Sequence, residues 1–289
     1  MTASILLMGG IFCPDICAQG AIMRANDDFG SKETIFADNS AYEYTFPDNE
    51  RMRIIYDCTL AFKDKKRNPI KAEYILQIGS STSKFYSFIQ HQCDSMLVNS
   101  TGNAYLTPRY RLYDGANYLF VQDCFYTDIP SGNMTFTGRI VTEDYEYTET
   151  LPLIEWKVLE GTSQICGYTC HKATGTFRGR EYEVWYTEQI PSSTGPWKLR
   201  GLPGAILEAR ASSGECSFVA KKVLPGIDRI FKASYPYIKV TRKQYTKMQQ
   251  QMLELRAAFT SQHTSRSGVR IIPTEKQKPY PAVVELEKD

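Results

Sequence analysis

The sequence predicts a mainly β protein, arranged as an antiparallel curved sheet or a partly closed β-barrel, with a C-terminal amphipathic helix packed on it. Three observations carry this expectation. Short runs rich in aromatic and β-branched residues recur along the chain, Gly, Pro, Asn and Asp signals separate them at short spacing, and one late stretch repeats at helical period. At 42% hydrophobic and 12% aromatic residues, the 289-residue chain has ample apolar surface for a real core.

The elements follow in chain order. Ile5 to Phe12 form a short apolar segment, followed by Pro14 and a small-residue cleavage site after Ala18, so residues 1–18 read as a signal peptide. Gln19 is then the mature N-terminus and residues 19–289 a single β-rich domain; a buried N-terminal helix is the competing reading. Neither Cys13 nor Cys17 follows the small-residue pattern of a lipid-anchored leader. Residues 51–62 and 72–78 read as strands joined by a hairpin at Asp64 to Asn68. After Ser83, the helical spacing of Phe85, Phe88, Ile89 and Cys93 predicts a short helix. Further strands are expected over residues 118–126, 135–143, 150–159, 164–173, 182–187, 205–211 and 215–223. Turns fall at Asp114-Gly115, Gly132-Asn133 and Ser213-Gly214.

The late helix has a defined start. Thr241-x-x-Gln244 forms a capping box, and Tyr245, Met248, Met252, Leu255 and Phe259 then draw one apolar stripe. Beyond Ser261 the chain is polar and contains Pro273, Pro279 and Pro281, before a short strand around Val283 to Leu286. No apolar run approaches the roughly 20 residues that a bilayer-spanning helix needs.

The densest backbone signal lies between residues 181 and 208. A strand with Tyr182, Val184, Trp185 and Tyr186 enters a connection punctuated by Pro191, Gly195, Pro196, Gly201, Pro203 and Gly204, and leaves through Ala205-Ile206-Leu207. Each Pro fixes φ and each Gly permits positive φ or close backbone approach, so this segment specifies a shape and brings few reactive side chains. The motif residues Gly195-Pro196-Trp197-Lys198 and Gly201-Leu202-Pro203-Gly204-Ala205-Ile206 resemble the signature of the GLPGLI family, exported proteins of Bacteroidota. Ala205 stands where the family name has Leu, and the Gly and Pro pattern is intact. Gly167-Tyr168-x-Cys170-x-Lys172-Ala173 and Phe177-x-Gly179-Arg180 extend the similarity upstream. The resemblance implies a β-rich envelope or secreted protein and supplies no established activity.

Of the eight cysteines, Cys13 and Cys17 leave with the leader. Cys58, Cys93, Cys124, Cys166, Cys170 and Cys216 remain, an even set that favours disulfides in an oxidising compartment. On one strand Cys166 and Cys170 would stand about 13 Å apart at ~3.3 Å per residue, beyond disulfide reach. Cys170 and Cys216 are the attractive pair if their strands are neighbours.

Chemistry is harder to find. Cys170 and His171 are adjacent and point to opposite faces of a strand, so the imidazole does not activate that thiol. The remaining histidines, His91 and His263, have no distinguishing context. Glu143, Asp144, Glu146 and Glu149 cluster in a strand with a wet face, where solvation is the usual role. No GxSxG, Walker, GxGxxG or HExxH arrangement occurs, and no Cys or His spacing suits a metal, so no catalytic residue, cofactor or metal is expected. With 34 basic and 32 acidic residues there is no nucleic-acid footprint.

The expectation is therefore an exported protein of periplasm, envelope or medium. It would bind or carry an apolar ligand, a lipid or a polypeptide, or assemble with an envelope protein, with Trp185, Trp197, Tyr182 and Tyr186 lining or bracing the groove. The alternative is an envelope hydrolase acting on peptide or glycan through the acidic cluster or His171.

Overall fold

The structure, a computed structural model, describes residues 43–61, 69–99, 123–140, 143–234 and 236–260, apart from the side chains of residues 43, 93, 96–99 and 253–260. The strands are β1 (Glu43–Asn49), β2 (Met52–Leu60), β3 (Ile70–Ile78), β4 (Thr82–Ser87), β5 (Cys124–Asp128), β6 (Asn133–Ile140), β7 (Glu143–Thr150) and β8 (Lys157–Ile165). They continue with β9 (Tyr168–Phe177), β10 (Arg180–Thr187), β11 (Ala205–Ala211), β12 (Cys216–Pro225), β13 (Arg229–Ser234) and β14 (Ile238–Lys239). Helix α1 (Phe88–Asn99) follows β4, and α2 (Arg242–Thr260) follows β14.

Twelve strands form one sheet in the order β14-β7-β6-β5-β4-β3-β2-β12-β11-β10-β9-β8, and β1 pairs with β13 in a second, two-stranded sheet. Every described pairing is antiparallel except β14 with β7. The large sheet is not closed into a barrel: β14 and β8 are its two edges. Of the two expected architectures, the open sheet is the one present.

Alternation sets the faces. On β2, Ile54, Tyr56, Cys58 and Leu60 enter the main core while Arg53, Asp57 and Thr59 face away. The central strands are buried on both faces: Tyr74 to Ile78, Ser83 to Ser87 and Cys124 to Thr127 are all inaccessible. Phe85, Phe125 and Phe136 join the main core on one face, and Ile75, Tyr86, Cys124 and Tyr126 form a smaller cluster on the other. Helix α1 and the β1–β13 ribbon lie over that second face, where Lys84 Nζ and Tyr126 Oη both donate to the Phe231 carbonyl.

The connection from β10 to β11 lies over the main-core face. Amides of Ala205, Ile206 and Gly201 donate to Ile190, Thr194 and Ser193, folding the loop on itself. A Cβ at Gly204 would fall on the Thr187 carbonyl, and one at Gly195 would stand 2.8 Å from the Leu199 carbonyl oxygen. Trp197 sits at φ 57 and is buried edge-on against Phe177, with ring centroids 5.5 Å apart. Leu199, Leu202 and Ile206 complete the seal, and only about 10 Å³ of space remains between this loop and Phe85, Phe125 and Leu151.

Several expectations change. Thr82–Ser87 is a strand, because it pairs on both sides with β3 and β5; the helix begins at Phe88, capped by the Ser87 hydroxyl, which accepts the Gln90 amide at 3.0 Å. The run 164–173 is interrupted, since Cys166 at φ 52 and Gly167 at φ 84 turn the chain between β8 and β9. Residues 151–156 are not strand, and β8 starts at Lys157. The ribbon strands β1 and β13, and the short β14, were not expected. The capping box is present, with the Thr241 amide donating to Gln244 Oε1 at 2.8 Å and the Gln244 amide to Thr241 Oγ1 at 3.3 Å. Tyr245 docks α2 on the sheet against Phe136, Tyr145 and Tyr147. Met248 and Met252 are half-buried.

The leader, the 64–68 hairpin, the turn at Asp114-Gly115 and the 283–286 strand lie outside the described residues, as does the Cys93 side chain. Cys58, Cys124, Cys166, Cys170 and Cys216 are free thiols. Cys170 on β9 and Cys216 on β12 are not on neighbouring strands: β10 and β11 intervene, which puts them about 14 Å apart along the sheet at ~4.8 Å per strand. Among the described residues, no helix is long and apolar enough to cross a membrane.

Candidate functional site

Beside the roughly 10 Å³ beneath the loop, a larger space lies on the other face among the described residues. A cleft of about 490 Å³ opens between the β1–β13 ribbon, α1 and strands β3 and β4. Its floor depends on the turn between β12 and β13. A Cβ on Gly226 would fall on the backbone of Glu50 and Arg51, and this close approach lets the amides of Ile227 and Asp228 reach Glu50 Oε2 at 3.4 and 3.3 Å. Glu50, 6% exposed, accepts from Arg53 Nε at 2.8 Å and from Arg53 Nη2 at 2.7 Å, and Asp228 takes the same Nη2 at 2.6 Å. Burial disfavours the charge on Arg53, but these carboxylates outweigh it and hold its pKa above the usual range.

Strand alternation aims Lys84 and Tyr86 at α1, and helical spacing sets Gln90, His91 and Asp94 to receive them. Lys84 Nζ, 0% exposed as a side chain, donates to Asp94 Oδ2 at 2.6 Å and lies 3.9 Å from the centre of the Tyr86 ring. Gln90 Nε2 donates to Asp94 Oδ1 at 2.6 Å.

A single hydrogen-bond chain runs along the floor, and one residue sets its direction. Arg53 only donates, so Nη1 gives its proton to His91 Nε2 at 3.4 Å; His91 Nδ1 then donates to Tyr86 Oη at 2.8 Å, and Tyr86 donates to Gln77 Oε1 at 2.9 Å. Burial, with Arg53 and Lys84 nearby, pushes the His91 pKa down to about 4. His91 is therefore neutral at physiological pH, in the one tautomer that this chain accepts. Burial, then Asp94, raises the Tyr86 pKa far above its usual value, so the hydroxyl keeps its proton. The chain leaves the Gln77 amide NH2 unused on a side chain 2% exposed that lines the cleft.

The cleft has the means to bind and little to react with. Its carboxylates are engaged by cations, its imidazole is held by two neighbours, and among the described residues no three His, Cys, Asp or Glu side chains converge as metal ligands.

The residues expected to bind are placed elsewhere. Tyr182, Tyr186 and Trp197 are buried in the main core, at 0%, 3% and 4% exposure, while Trp185 is half-buried with Lys172 Nζ 5.7 Å from its ring centre. They form no common open groove. The acidic run on β7 is distributed among ion pairs: Asp144 with Arg139, Glu146 with Lys232 and Lys239, and Glu149 with Arg178, Lys198 and Arg242. The His171 ring lies tilted against Tyr186, at 5.9 Å between ring centres, and Cys170 is buried beside it in sequence without bonding to it.

Comparison with known proteins rests on the loop. Residues 176–208 match the family described as "Protein of unknown function (Porph_ging)". The Porph_ging stretch begins at the end of β9, takes in β10 and the whole Gly–Pro connection, and ends inside β11. No curated protein matches the chain. Two solved structures of PNGF-II are similar. The P21 form shares 18% identity at a TM-score of 0.48, covering 71% of this chain and 34% of that one. The C2 form shares 17% at 0.47, covering 71% and 33%. This chain thus spans about a third of PNGF-II.

The cleft residues left almost no trace in the sequence. Thr82–Ser87 reads TSKFYS, too polar to announce a strand buried on both faces, so the need of Lys84 for a partner was not visible.

Proposed function

We propose that this chain is an exported member of the GLPGLI family that binds a ligand without transforming it, its first 18 residues serving as a signal peptide. The intact Gly195-Pro196 and Gly201-Leu202-Pro203-Gly204 pattern supports the family assignment, and the apolar segment before Ala18 supports export to periplasm, envelope or medium.

One observation carries the binding reading: about 490 Å³ is open at the cleft beneath α1, within the range of small-molecule sites, while about 10 Å³ is left beneath the motif loop. Ligand binding therefore belongs to the cleft, and Tyr182, Tyr186 and Trp197 brace the fold. The charged lining of Glu50, Asp94, Asp228 and Arg229 favours a polar ligand over a lipid.

Native mass spectrometry of protein purified from the periplasm tests this. The expected spectrum shows a chain starting at Gln19 with a small molecule bound, and the adduct is lost from Asn49→Trp, which fills the rim. A ligand-free chain, or an adduct retained in that variant, contradicts the reading.

A further inference from the structure

We propose that the cleft takes a neutral, hydroxyl-rich ligand of the sugar class, recognised by the Gln77 amide and the Asp94 carboxylate against the aromatic wall of Phe46 and Phe231. This rests on the binding reading above and names its ligand. The argument starts from Gln77. Its Oε1 is occupied by Tyr86, and because Arg53 fixes the direction of the whole chain, the amide is held with its NH2 turned away from Tyr86. That NH2 has no protein acceptor among the described residues, yet the side chain is 2% exposed and borders the cleft. The donor is thus presented to the cleft, where a ligand acceptor would complete it.

Charge then narrows the class. An anion such as phosphate would meet three carboxylates, Glu50, Asp94 and Asp228, against one lining guanidinium, Arg229, which is stacked on the Phe46 ring at 3.6 Å. A cation would find those same carboxylates engaged by Arg53 and Lys84. An apolar chain would leave the Gln77 donor unsatisfied. What fits is a group that accepts from the amide and donates to a carboxylate oxygen, as a hydroxyl does. Asp94 Oδ2 accepts from Lys84 and Oδ1 from Gln90, and each oxygen has a second lone pair. Phe46 and Phe231, with ring centres 6.1 Å apart, and Ile227, 83% exposed at the mouth, supply apolar surface for the C–H faces of a sugar ring.

The test uses the full mature chain and three kinds of probe: methyl glucoside, methyl galactoside and N-acetylglucosamine as neutral sugars, inorganic phosphate as the anion, and laurate as the apolar chain. Saturation-transfer NMR reads binding at up to ~10 mM ligand. The Gln77 side-chain NH2 resonances of unmutated protein report the site, so the result does not depend on a variant folding. Binding of at least one sugar, with the Gln77 NH2 shifted and affinity reduced about tenfold in Gln77→Leu, is expected. Binding of phosphate or laurate alone would overturn the ligand class and leave the cleft as a binding site. Sugar binding with the Gln77 NH2 unmoved would overturn the assigned contacts, and no binding by any probe would overturn both readings.

Discussion

Lys198 of the motif loop donates to Glu149 Oε1 at 2.6 Å, so the connection between β10 and β11 is anchored to β7, on the far side of the sheet order. Arg200 of the same loop donates to the Ile129 carbonyl after β5, and Trp156 Nε1 holds the Arg200 carbonyl at 2.8 Å. The Gly–Pro segment is therefore a strap across the main-core face. Its lysine is an architectural residue, surrounded by Phe125, Tyr147 and Trp197 at 5.5 to 5.8 Å from ring centres.

The ion pair predicts an asymmetry. Lys198→Met leaves Glu149 its partners Arg178 and Arg242, whereas Glu149→Leu removes the one carboxylate that Lys198, Arg178 and Arg242 share. Chemical denaturation should show the Glu149 variant losing about 3–5 kcal/mol and the Lys198 variant less, with the double variant recovering part of the loss. Equal losses would contradict the picture of Glu149 as the shared anion.

Close approach predicts a second contrast. Gly204→Ala puts a methyl onto the Thr187 carbonyl and should cost at least about 2 kcal/mol, because both partners are backbone. Gly214→Ala meets nothing within 4 Å and pays only for φ 71, about 1 kcal/mol. Thermal melts of the two variants separate steric from conformational cost.

Two buried groups give opposite pH dependences. Burial raises the Asp123 carboxyl to about 7, against the opposing hydrogen bond from Tyr245. The folded state then binds more protons than the unfolded one between about pH 4 and 7, and stability falls as pH rises through that window. His91 is the reverse: with its folded pKa near 4, the unfolded chain takes the extra proton between about pH 6.5 and 4, and stability falls as pH drops. Relative to the parent, Asp123→Asn should gain stability as pH rises toward 7 and above. The destabilisation caused by His91→Gln should shrink as pH falls toward 4.

Thiol labelling checks the strand order. Cys166 is exposed at the β8–β9 turn, while Cys58, Cys124, Cys170 and Cys216 are buried, and burial raises all five thiol pKa values. Among these five, Cys166 should label first in the native protein and the others only on unfolding. Peptide mapping of unreduced protein should find no Cys170–Cys216 bond.

The legible parts of this fold were those with local causes. The Ala205–Ala211 strand, the capping box at Thr241 and the shaped connection from Gly195 to Gly204 follow from residue type and spacing. Strand β4 was misread because Phe85 and Phe88 share both a helical and a strand-end spacing, and only pairing with β3 and β5 decides between them. The ribbon of β1 and β13 joins residues 180 to 191 positions apart, and no local pattern announces such a pairing. The cleft inherits that difficulty, because Glu50, Gln77, His91 and Asp228 meet only after the ribbon lies over β4 and α1. Aromatic abundance pointed to β10 instead, where packing consumes the rings.

The central claim is that ligand occupies the cleft under α1 while the main-core face is sealed. A crystal structure of the protein purified from the periplasm with its bound molecule tests it directly. The account predicts ligand density between Gln77, Asp94 and Phe231; density between Trp197 and Tyr182, with the strap displaced from Glu149, would contradict it.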